Sequence, residues 1–195
     1  ISPDLVDLSS GIYSIEVTDA LGCSSSTSVE LSEPSLIEIS MEVTYPTCFG
    51  SNDGQLFASV SGGTGVYSYE LINESEELIS ETNFSDQLYS GTYEFVVQDT
   101  NSCQVSSFHI LENPDPIQLT VDVDDVSCYA GNDARASFEI SNNTGSINHT
   151  WSRVLALNQF DAISYSDTLS GNITQGNYVL EVIDSVGCSQ SNFFS

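Results

Sequence analysis

The chain has 195 residues, of which 28 are Asp or Glu and only two are basic, so its formal net charge is −26. Nucleic acid and anionic lipid are bound by clustered Lys or Arg, and a chain whose only basic residues are Arg135 and Arg153 has no such cluster. No apolar run approaches the roughly 18 residues of a membrane-spanning helix. We interpret the acidity as a solvated surface that keeps a secreted protein soluble.

Short strings that alternate between apolar and polar residues follow one another along the chain and predict β-strands. Gly- and Asn-rich turns separate these strings, and hardly any stretch has helical periodicity. The sequence therefore predicts an all-β protein. In chain order, the clearest predicted strands are 37–43, 55–61, 67–72, 93–98 and 105–111.

A thirteen-residue pattern, G-x-Y-x-x-x-V-x-D-x-x-x-C, occurs three times and indicates a tandem array of similar modules. When the chain is aligned with itself, Cys48 also falls on Cys128, and the last copy carries a short insertion after Trp151. The pattern occupies residues 11–23, 91–103 and 176–188. The predicted units are the C-terminal part of a truncated repeat (1–34), a complete repeat (35–114) and a nearly complete repeat (115–195).

Each full copy offers about seven strands in about 80 residues, a length suited to an immunoglobulin-like sandwich. In the thirteen-residue pattern, strand alternation places the Tyr and the residues two and four further on facing inward. The Tyr suits a tyrosine corner, and the Asp is expected to turn the strand through Asx-type bonds. The segment 1–34 holds only two strands and cannot bury a core by itself. The inward sets are Tyr13, Ile15 and Val17; Tyr93, Phe95 and Val97; and Tyr178, Leu180 and Val182.

Four motifs together resemble the SprB-type repeats of gliding-motility and cell-surface adhesins of the Bacteroidota. They are "CFGSNDG" (48–54), "GGTGVYSYEL" (62–71), the thirteen-residue pattern and the Glu-Pro linker "LSEP" (31–34). The last copy departs from the family pattern, because it reads "CYAGNDA" and loses two glycines. The resemblance implies export by the type IX route, display outside the cell and a place within a long adhesin. It fits equally the polycystic-kidney-disease-like modules of secreted hydrolases.

Five cysteines are present, and an exported β-module makes disulfides plausible. Pairing within repeats joins Cys48 to Cys103 and Cys128 to Cys188. Pairing across the linkers joins Cys23 to Cys48 and Cys103 to Cys128, and it requires a Pro-containing linker to fold back. Pairing across the joint between modules joins Cys48 to Cys188, because the turn after the first strand and the last hairpin of the next module meet there. The sequence leaves these alternatives open, with linker pairing the least favoured.

Two turns supply oxygen ligands of the kind that calcium accepts, at Asn52 and Asp53 and at Asn132 and Asp133. No D-x-D-x-D-G ladder is present, and Asn-Asp at a turn is more often a hydrogen-bonded corner. The sequence therefore predicts no cofactor, with calcium as the one candidate to test. The nearby Asp122, Asp124 and Asp125 supply further carboxylate oxygens, although Asp122 and Asp124 are expected on the solvent-exposed face of the first strand.

Two Asp-Ser/Thr-aliphatic triplets are similar to the pattern that Bacteroidota O-glycosylate, which makes Thr168 and Ser185 candidate sugar attachment points. Ordinary loop and hairpin chemistry is the alternative for both. Aromatic residues in the middle loops are the better candidates for a ligand surface, namely Tyr89, Phe160 and Tyr165.

No catalytic constellation is found, because His109 and His149 lie in predicted strands without a paired nucleophile. The sequence thus predicts tandem immunoglobulin-like (PKD-like) β-sandwich modules in an elongated array. Their predicted role is that of non-enzymatic spacer repeats of a secreted adhesin, whose partners are neighbouring repeats and an unknown surface ligand or glycan. The alternative is a carbohydrate- or calcium-binding accessory module of a secreted hydrolase.

Overall fold

The computed structural model describes residues 4–156, 159–164, 168–170 and 173–195. Within these ranges the regular structure consists of β-strands alone, which confirms the all-β prediction. The strands are β1 (Gly11–Thr18), β2 (Ser24–Leu31), β3 (Glu38–Thr44), β4 (Gly54–Ser61), β5 (Ser68–Asn73), β6 (Leu78–Ser80), β7 (Phe84–Leu88), β8 (Gly91–Gln98), β9 (Gln104–Leu111), β10 (Gln118–Asp124), β11 (Arg135–Ser141), β12 (Ile147–Ala156), β13 (Gln159–Ser164), β14 (Thr168–Ser170), β15 (Tyr178–Asp184) and β16 (Ser189–Phe194).

Strands β3 to β9 form two antiparallel sheets, with the orders β3-β4-β7 and β6-β5-β8-β9. The apolar residues of alternating strands face each other between the sheets, as half-buried strands require. Both sheets supply the same core, so this part is a sandwich. The first sheet contributes Leu56, Ala58 and Leu88, and the second contributes Leu71, Tyr93, Phe95, Val97 and Leu111.

Strands β10 to β16 repeat this arrangement, with the orders β10-β11-β14 and β13-β12-β15-β16. Trp151 on β12 is fully buried and packs edge-on against Phe138 and Phe194. This core and the first share none of their described residues. The strand order is that of an immunoglobulin-like sandwich, as the sequence predicts. Other core residues here are Ile117, Ala134, Ala136, Ile173, Tyr178, Leu180 and Val182.

Strands β1 and β2 form a two-stranded antiparallel hairpin, with Gly11 opposite Leu31. Ile15 and Val17 lie on one face of this hairpin with side chains that are 59% and 62% exposed, in line with the expectation that two strands cannot bury a core by themselves. No described strand pairs with this hairpin, so its apolar face lacks an opposing sheet. The hairpin therefore forms without acquiring a core.

The linker between the sandwiches is anchored in a core at each end. Leu111 is buried in the first core and Ile117 in the second, which leaves residues 112–116 to connect them. Pro114 and Pro116 lie in this stretch, and proline stiffens a linker by restricting its backbone. The two sandwiches are thus joined by a short and restrained segment.

Candidate functional site at the joint of the two sandwiches

Three hairpins present a cysteine in the same way, and we name them the Cys23 hairpin (19–23), the Cys103 hairpin (99–103) and the Cys188 hairpin (184–188). In the Cys188 hairpin, Oδ1 of Asp184 accepts the backbone N–H groups of Val186 at 3.0 Å and Cys188 at 2.9 Å. The backbone N–H of Asp184 donates to the carbonyl oxygen of Cys188 at 2.9 Å. These contacts are the predicted Asx-type bonds, and they fix the position of the cysteine.

The other two hairpins repeat these contacts. Oδ1 of Asp99 accepts the N–H groups of Asn101 and Cys103, both at 2.9 Å. Oδ1 of Asp19 accepts the N–H groups of Leu21 at 2.8 Å and of Cys23 at 2.9 Å. The cysteine of each copy is therefore held in the same local geometry, whether or not a sandwich surrounds it.

In the two sandwiches, the second carboxylate oxygen ties the hairpin to a distant loop. Oδ2 of Asp99 accepts both the N–H and the Oγ1–H of Thr64 at 2.9 Å, and Oδ2 of Asp184 accepts the N–H of Thr144 at 2.9 Å. Sequence reasoning missed these contacts, although the recurring Thr-Gly at 64–65 and 144–145 was a signal for them. The cysteine hairpin and the loop before the third strand are thus held together at one end of each sandwich, which we name the hairpin pole.

These hydrogen bonds also shift the acidity of both aspartates. Burial alone raises the pKa of Asp99, but the donors of Cys103, Thr64 and Asn101 outweigh it, so the pKa lies below its usual range. The N–H of Thr144 is the main reason why the pKa of Asp184 is lowered. Both carboxylates are therefore held in the charged form that their donors require.

At the opposite end of each sandwich, which we name the turn pole, the turn after the first strand also presents a cysteine. We name these segments the Cys48 turn (47–53) and the Cys128 turn (127–133). Oδ1 of Asp53 accepts the N–H of Thr47 at 2.9 Å and the hydroxyl of Ser51 at 2.5 Å, and these bonds, from Ser51 first, lower the pKa of Asp53 to about 2.

The Cys128 turn is built similarly, because Oδ1 of Asp133 accepts the N–H of Ser127 at 3.0 Å. The bonds from Ser127 lower the pKa of Asp133. Two of the four candidate calcium ligands, Asp53 and Asp133, are thus engaged with their own turns, and Asn52 and Asn132 lie beside them. In the part of the chain that the structure describes, no group of three or more His, Cys, Asp or Glu is placed to hold a metal ion. Calcium binding stays a prediction.

The two poles meet at the joint, where Cys48 and Cys188 form a disulfide. Their Cα atoms lie 5.4 Å apart, inside the usual range for a disulfide, and they are 140 residues apart in the sequence. Of the three connectivities that the sequence leaves open, the structure has the one across the joint. Pairing within repeats and across linkers is not formed, and Cys23, Cys103 and Cys128 are free and exposed.

The joint has two further features that sequence reasoning did not find. Oδ1 of Asn113 in the linker accepts the N–H of Gly50 in the Cys48 turn at 3.0 Å. Phe49 lines a cleft at the joint together with Ile117 and Gln190 of the second sandwich. The linker, the turn and the hairpin therefore contact one another around the disulfide.

The remaining candidate residues lie away from the joint disulfide. The hydroxyl of Ser185 donates to the carbonyl oxygen of Thr144 at 2.7 Å, while Thr168 lies in β14 opposite Ser137. Tyr89 is exposed, as a ligand surface requires. Phe160 is also exposed but lies in β13, so its prediction as a loop residue is wrong. Tyr165 lies outside the described residues.

A cavity of about 850 Å³ lies at the end of the second sandwich that carries the Cys128 turn. Ala134 lines it and aligns with Gly54 of the first sandwich. In the first sandwich, a Cβ placed on Gly54 would lie 3.1 Å from Cδ1 of Leu111. The side chain of Leu111 therefore occupies the space that corresponds to this cavity. The cavity therefore gives no evidence for a small-molecule ligand. Membrane-spanning helices are not found anywhere in the described ranges.

Comparisons with known proteins give solved structures of similar fold and one family. The chain is similar to a chain of the crystal structure of Dpr2 Ig1-Ig2 in complex with DIP-Theta Ig1-Ig3, at 11% identity and a TM-score of 0.34, over 95% of this chain and 72% of that chain. At this TM-score the likeness carries no argument. No curated protein sequence matches the chain. Residues 41–75 match the SprB repeat family, which confirms for this segment the resemblance that the motifs predict.

Proposed function

We propose that the chain is a series of structural spacer repeats of a secreted cell-surface adhesin, divided as 1–34, 35–114 and 115–195. The Cys48–Cys188 disulfide carries this proposal, because it ties two sandwiches together beside the linker that already joins them. Two covalent connections at one joint restrict bending more than one connection does. A spacer that holds a binding tip away from the cell needs that stiffness.

The match of residues 41–75 to the SprB repeat supports a place in a cell-surface protein. A disulfide also suits an oxidising compartment outside the cytosol. The finer parts of the proposal are export by the type IX route and a role in gliding motility, and they rest on the resemblance. The net charge of −26 suits neighbouring rods that must not collapse on each other, although salt limits the repulsion to about 8 Å.

The disulfide also changes how the chain bears tension. Force applied to the two ends passes from Cys48 directly to Cys188, so the residues between them do not have to carry it. If a sandwich unfolds under load, the intervening segment stays enclosed in a covalent loop. The separation of 140 residues corresponds to about 480 Å of extended chain at roughly 3.4 Å per residue, and the bond withholds that length.

Single-molecule stretching of the full chain, held at both termini, tests the spacer role. We expect the oxidised chain to extend by about 480 Å less than the Cys188→Ser variant, with the difference given by the 140-residue loop. Cys128→Ser is the matched control, since Cys128 forms no disulfide, and it should extend like the unsubstituted chain. Equal extension of the oxidised chain and of Cys188→Ser would contradict the proposal.

The second candidate function is a carbohydrate- or calcium-binding accessory module. The exposed side chains of Tyr89 and Phe160 favour it. The paired aromatic rings among the described residues, by contrast, belong to the two cores or pack against them. Glycan-array binding by the full chain that is lost in Tyr89→Ala would support this candidate over the spacer.

A further inference from the structure

The three free cysteines occupy positions equivalent to the two that form the disulfide. Cys128 aligns with Cys48 when the sequences of the two sandwiches are aligned, and both lie at the same place in the turn after the first strand. Cys23 and Cys103 both align with Cys188, as the last residue of the thirteen-residue pattern. The free set therefore contains one cysteine of the turn type and two of the hairpin type.

The turn that presents Cys128 has the conformation of the turn that presents Cys48. The N–H of Gly131 donates to the carbonyl oxygen of Cys128 at 2.8 Å, as the N–H of Ser51 does to that of Cys48 at 3.0 Å. Cys103 is likewise held by Asp99 just as Cys188 is held by Asp184. Cys128 and Cys103 are thus held in the same local conformation as Cys48 and Cys188, although they form no disulfide.

A second observation concerns the aromatic side chain next to each turn cysteine. Phe49 follows Cys48 and lines the cleft at the formed joint, where its side chain is 60% exposed. Tyr129 follows Cys128, and its side chain is fully exposed. At the formed joint, the hairpin pole of another sandwich covers part of the aromatic at this position. The Cys128 turn has the same surface uncovered.

We propose that the Cys128 turn is a docking and disulfide site for the hairpin pole of a further repeat of this type, supplied in solution by the Cys103 hairpin of a second copy of this chain. The bond joins a turn cysteine to a hairpin cysteine, as Cys48–Cys188 does, so copies of the chain join head to tail. The proposal deepens the spacer function and rests on it for the presence of further repeats.

The Cys103 hairpin fits this role better than the Cys23 hairpin. At the formed joint, the hairpin pole includes Asn142 and Thr144 from the loop before β12, which line the same cleft as Cys188. The equivalent loop is present in the first sandwich, where Thr64 binds Asp99. The hairpin of β1 and β2 has no such loop among the described residues. Its pole is therefore incomplete.

Bond formation needs an oxidant, and a small-molecule disulfide such as oxidised glutathione supplies it. The thiolate of Cys128 attacks oxidised glutathione, which gives a mixed disulfide and releases one reduced glutathione. The thiolate of Cys103 in the second copy then attacks the sulfur of Cys128 and releases the second reduced glutathione. Two protein thiols are oxidised while one glutathione disulfide is reduced to two thiols.

The test uses two variants of the full chain that both keep the Cys48–Cys188 bond. Cys23→Ser/Cys103→Ser leaves only Cys128 free, and Cys23→Ser/Cys128→Ser leaves only Cys103 free. They are mixed at equal concentration in a glutathione redox buffer, and the disulfide-linked dimers are quantified by non-reducing electrophoresis and peptide mass spectrometry. Circular dichroism checks that both variants keep the strand content of the unsubstituted chain.

We expect the Cys128–Cys103 dimer to outnumber the two homodimers together by about ten to one, against one to one for random pairing, which is equivalent to about 1.4 kcal/mol of docking preference. Adding Tyr129→Ser to the Cys128 variant should reduce that excess. A statistical mixture of dimers, or glutathione adducts without any dimer, would overturn the proposal. Neither result would alter the stretching difference set by Cys48–Cys188, so failure here is distinct from failure of the spacer function.

Discussion

The hairpin of β1 and β2 and the hairpin of β8 and β9 carry the same thirteen-residue pattern in different surroundings. Their registers agree, with Gly11 opposite Leu31 in one and Gly91 opposite Leu111 in the other. Both have the predicted tyrosine corner. The hydroxyl of Tyr13 donates to the carbonyl oxygen of Ser9 at 2.9 Å, and that of Tyr93 donates to the carbonyl oxygen of Tyr89 at 3.0 Å.

Their burial is very different. Phe95 is 1% exposed because the sheet of β3, β4 and β7 covers it, whereas the equivalent Ile15 is 59% exposed. The local hydrogen bonds are therefore sufficient to define the hairpin, and an opposing sheet is necessary to bury it. This difference predicts that identical substitutions in the two hairpins have unequal effects.

The largest expected effect is that of Phe95→Ala. Truncating a fully buried Phe removes apolar burial and leaves a cavity, so we expect the free energy of unfolding of the first sandwich to fall by about 3–5 kcal/mol. The matched change Ile15→Ala should alter stability by less than about 0.5 kcal/mol, because the side chain is already in water. Hydrogen exchange of peptides from β4, β5 and β8 measures the first effect, and that of peptides from β1 and β2 measures the second. Similar losses for the two variants would show that the β1–β2 hairpin is covered in solution.

Acid is expected to have the next largest effect, since it acts on several carboxylates at once. The pKa values of Asp99 and Asp184 are lowered in the folded chain, so the folded form binds these protons less readily than the unfolded form does. Their contribution to stability is complete above the unfolded pKa of about 4 and is lost as the pH falls through the folded values.

Trp151 is the only tryptophan and reports on the second sandwich alone. Its fluorescence in urea titrations should show constant stability from pH 7 to 5 and decreasing stability below about pH 4. Asp184→Asn should flatten this dependence, while Asp19→Asn, which lies outside both sandwiches, should leave it unchanged. Loss of stability already between pH 7 and 5 would contradict the assignment to these aspartates.

The smallest expected effect distinguishes the two tyrosine corners. Tyr93→Phe removes the bond to the carbonyl oxygen of Tyr89 at a buried position and should cost about 1 kcal/mol of unfolding free energy. Tyr13→Phe removes the same bond at a partly exposed position, where water replaces the donor, and should cost less than about 0.5 kcal/mol. Thermal unfolding followed by circular dichroism measures the difference. An equal cost in the two variants would show that burial does not control the strength of the corner.

Many features of the chain were predictable from sequence because they depend on neighbours within a few residues. The strand alternation, the Asx-type bonds of Asp99 and Asp184 and the tyrosine corners all follow from local patterns. The assignment of Phe160 to a loop failed, because β13 pairs with β12 and Phe160 lies opposite Val154, in a register with shifts that a regular alternation pattern does not predict.

The sequence by itself determined the repeating hairpin and the all-β sandwich, since period-two alternation and turn residues encode both directly. Only the tertiary structure decided which cysteines pair, because Cys48 and Cys188 are brought together by the stacking of two sandwiches about residues 112–116. It also decided that Thr64 binds Asp99 and that Ile15 stays in water. Contacts between distant residues depend on where whole sheets lie, and no local pattern contains that information.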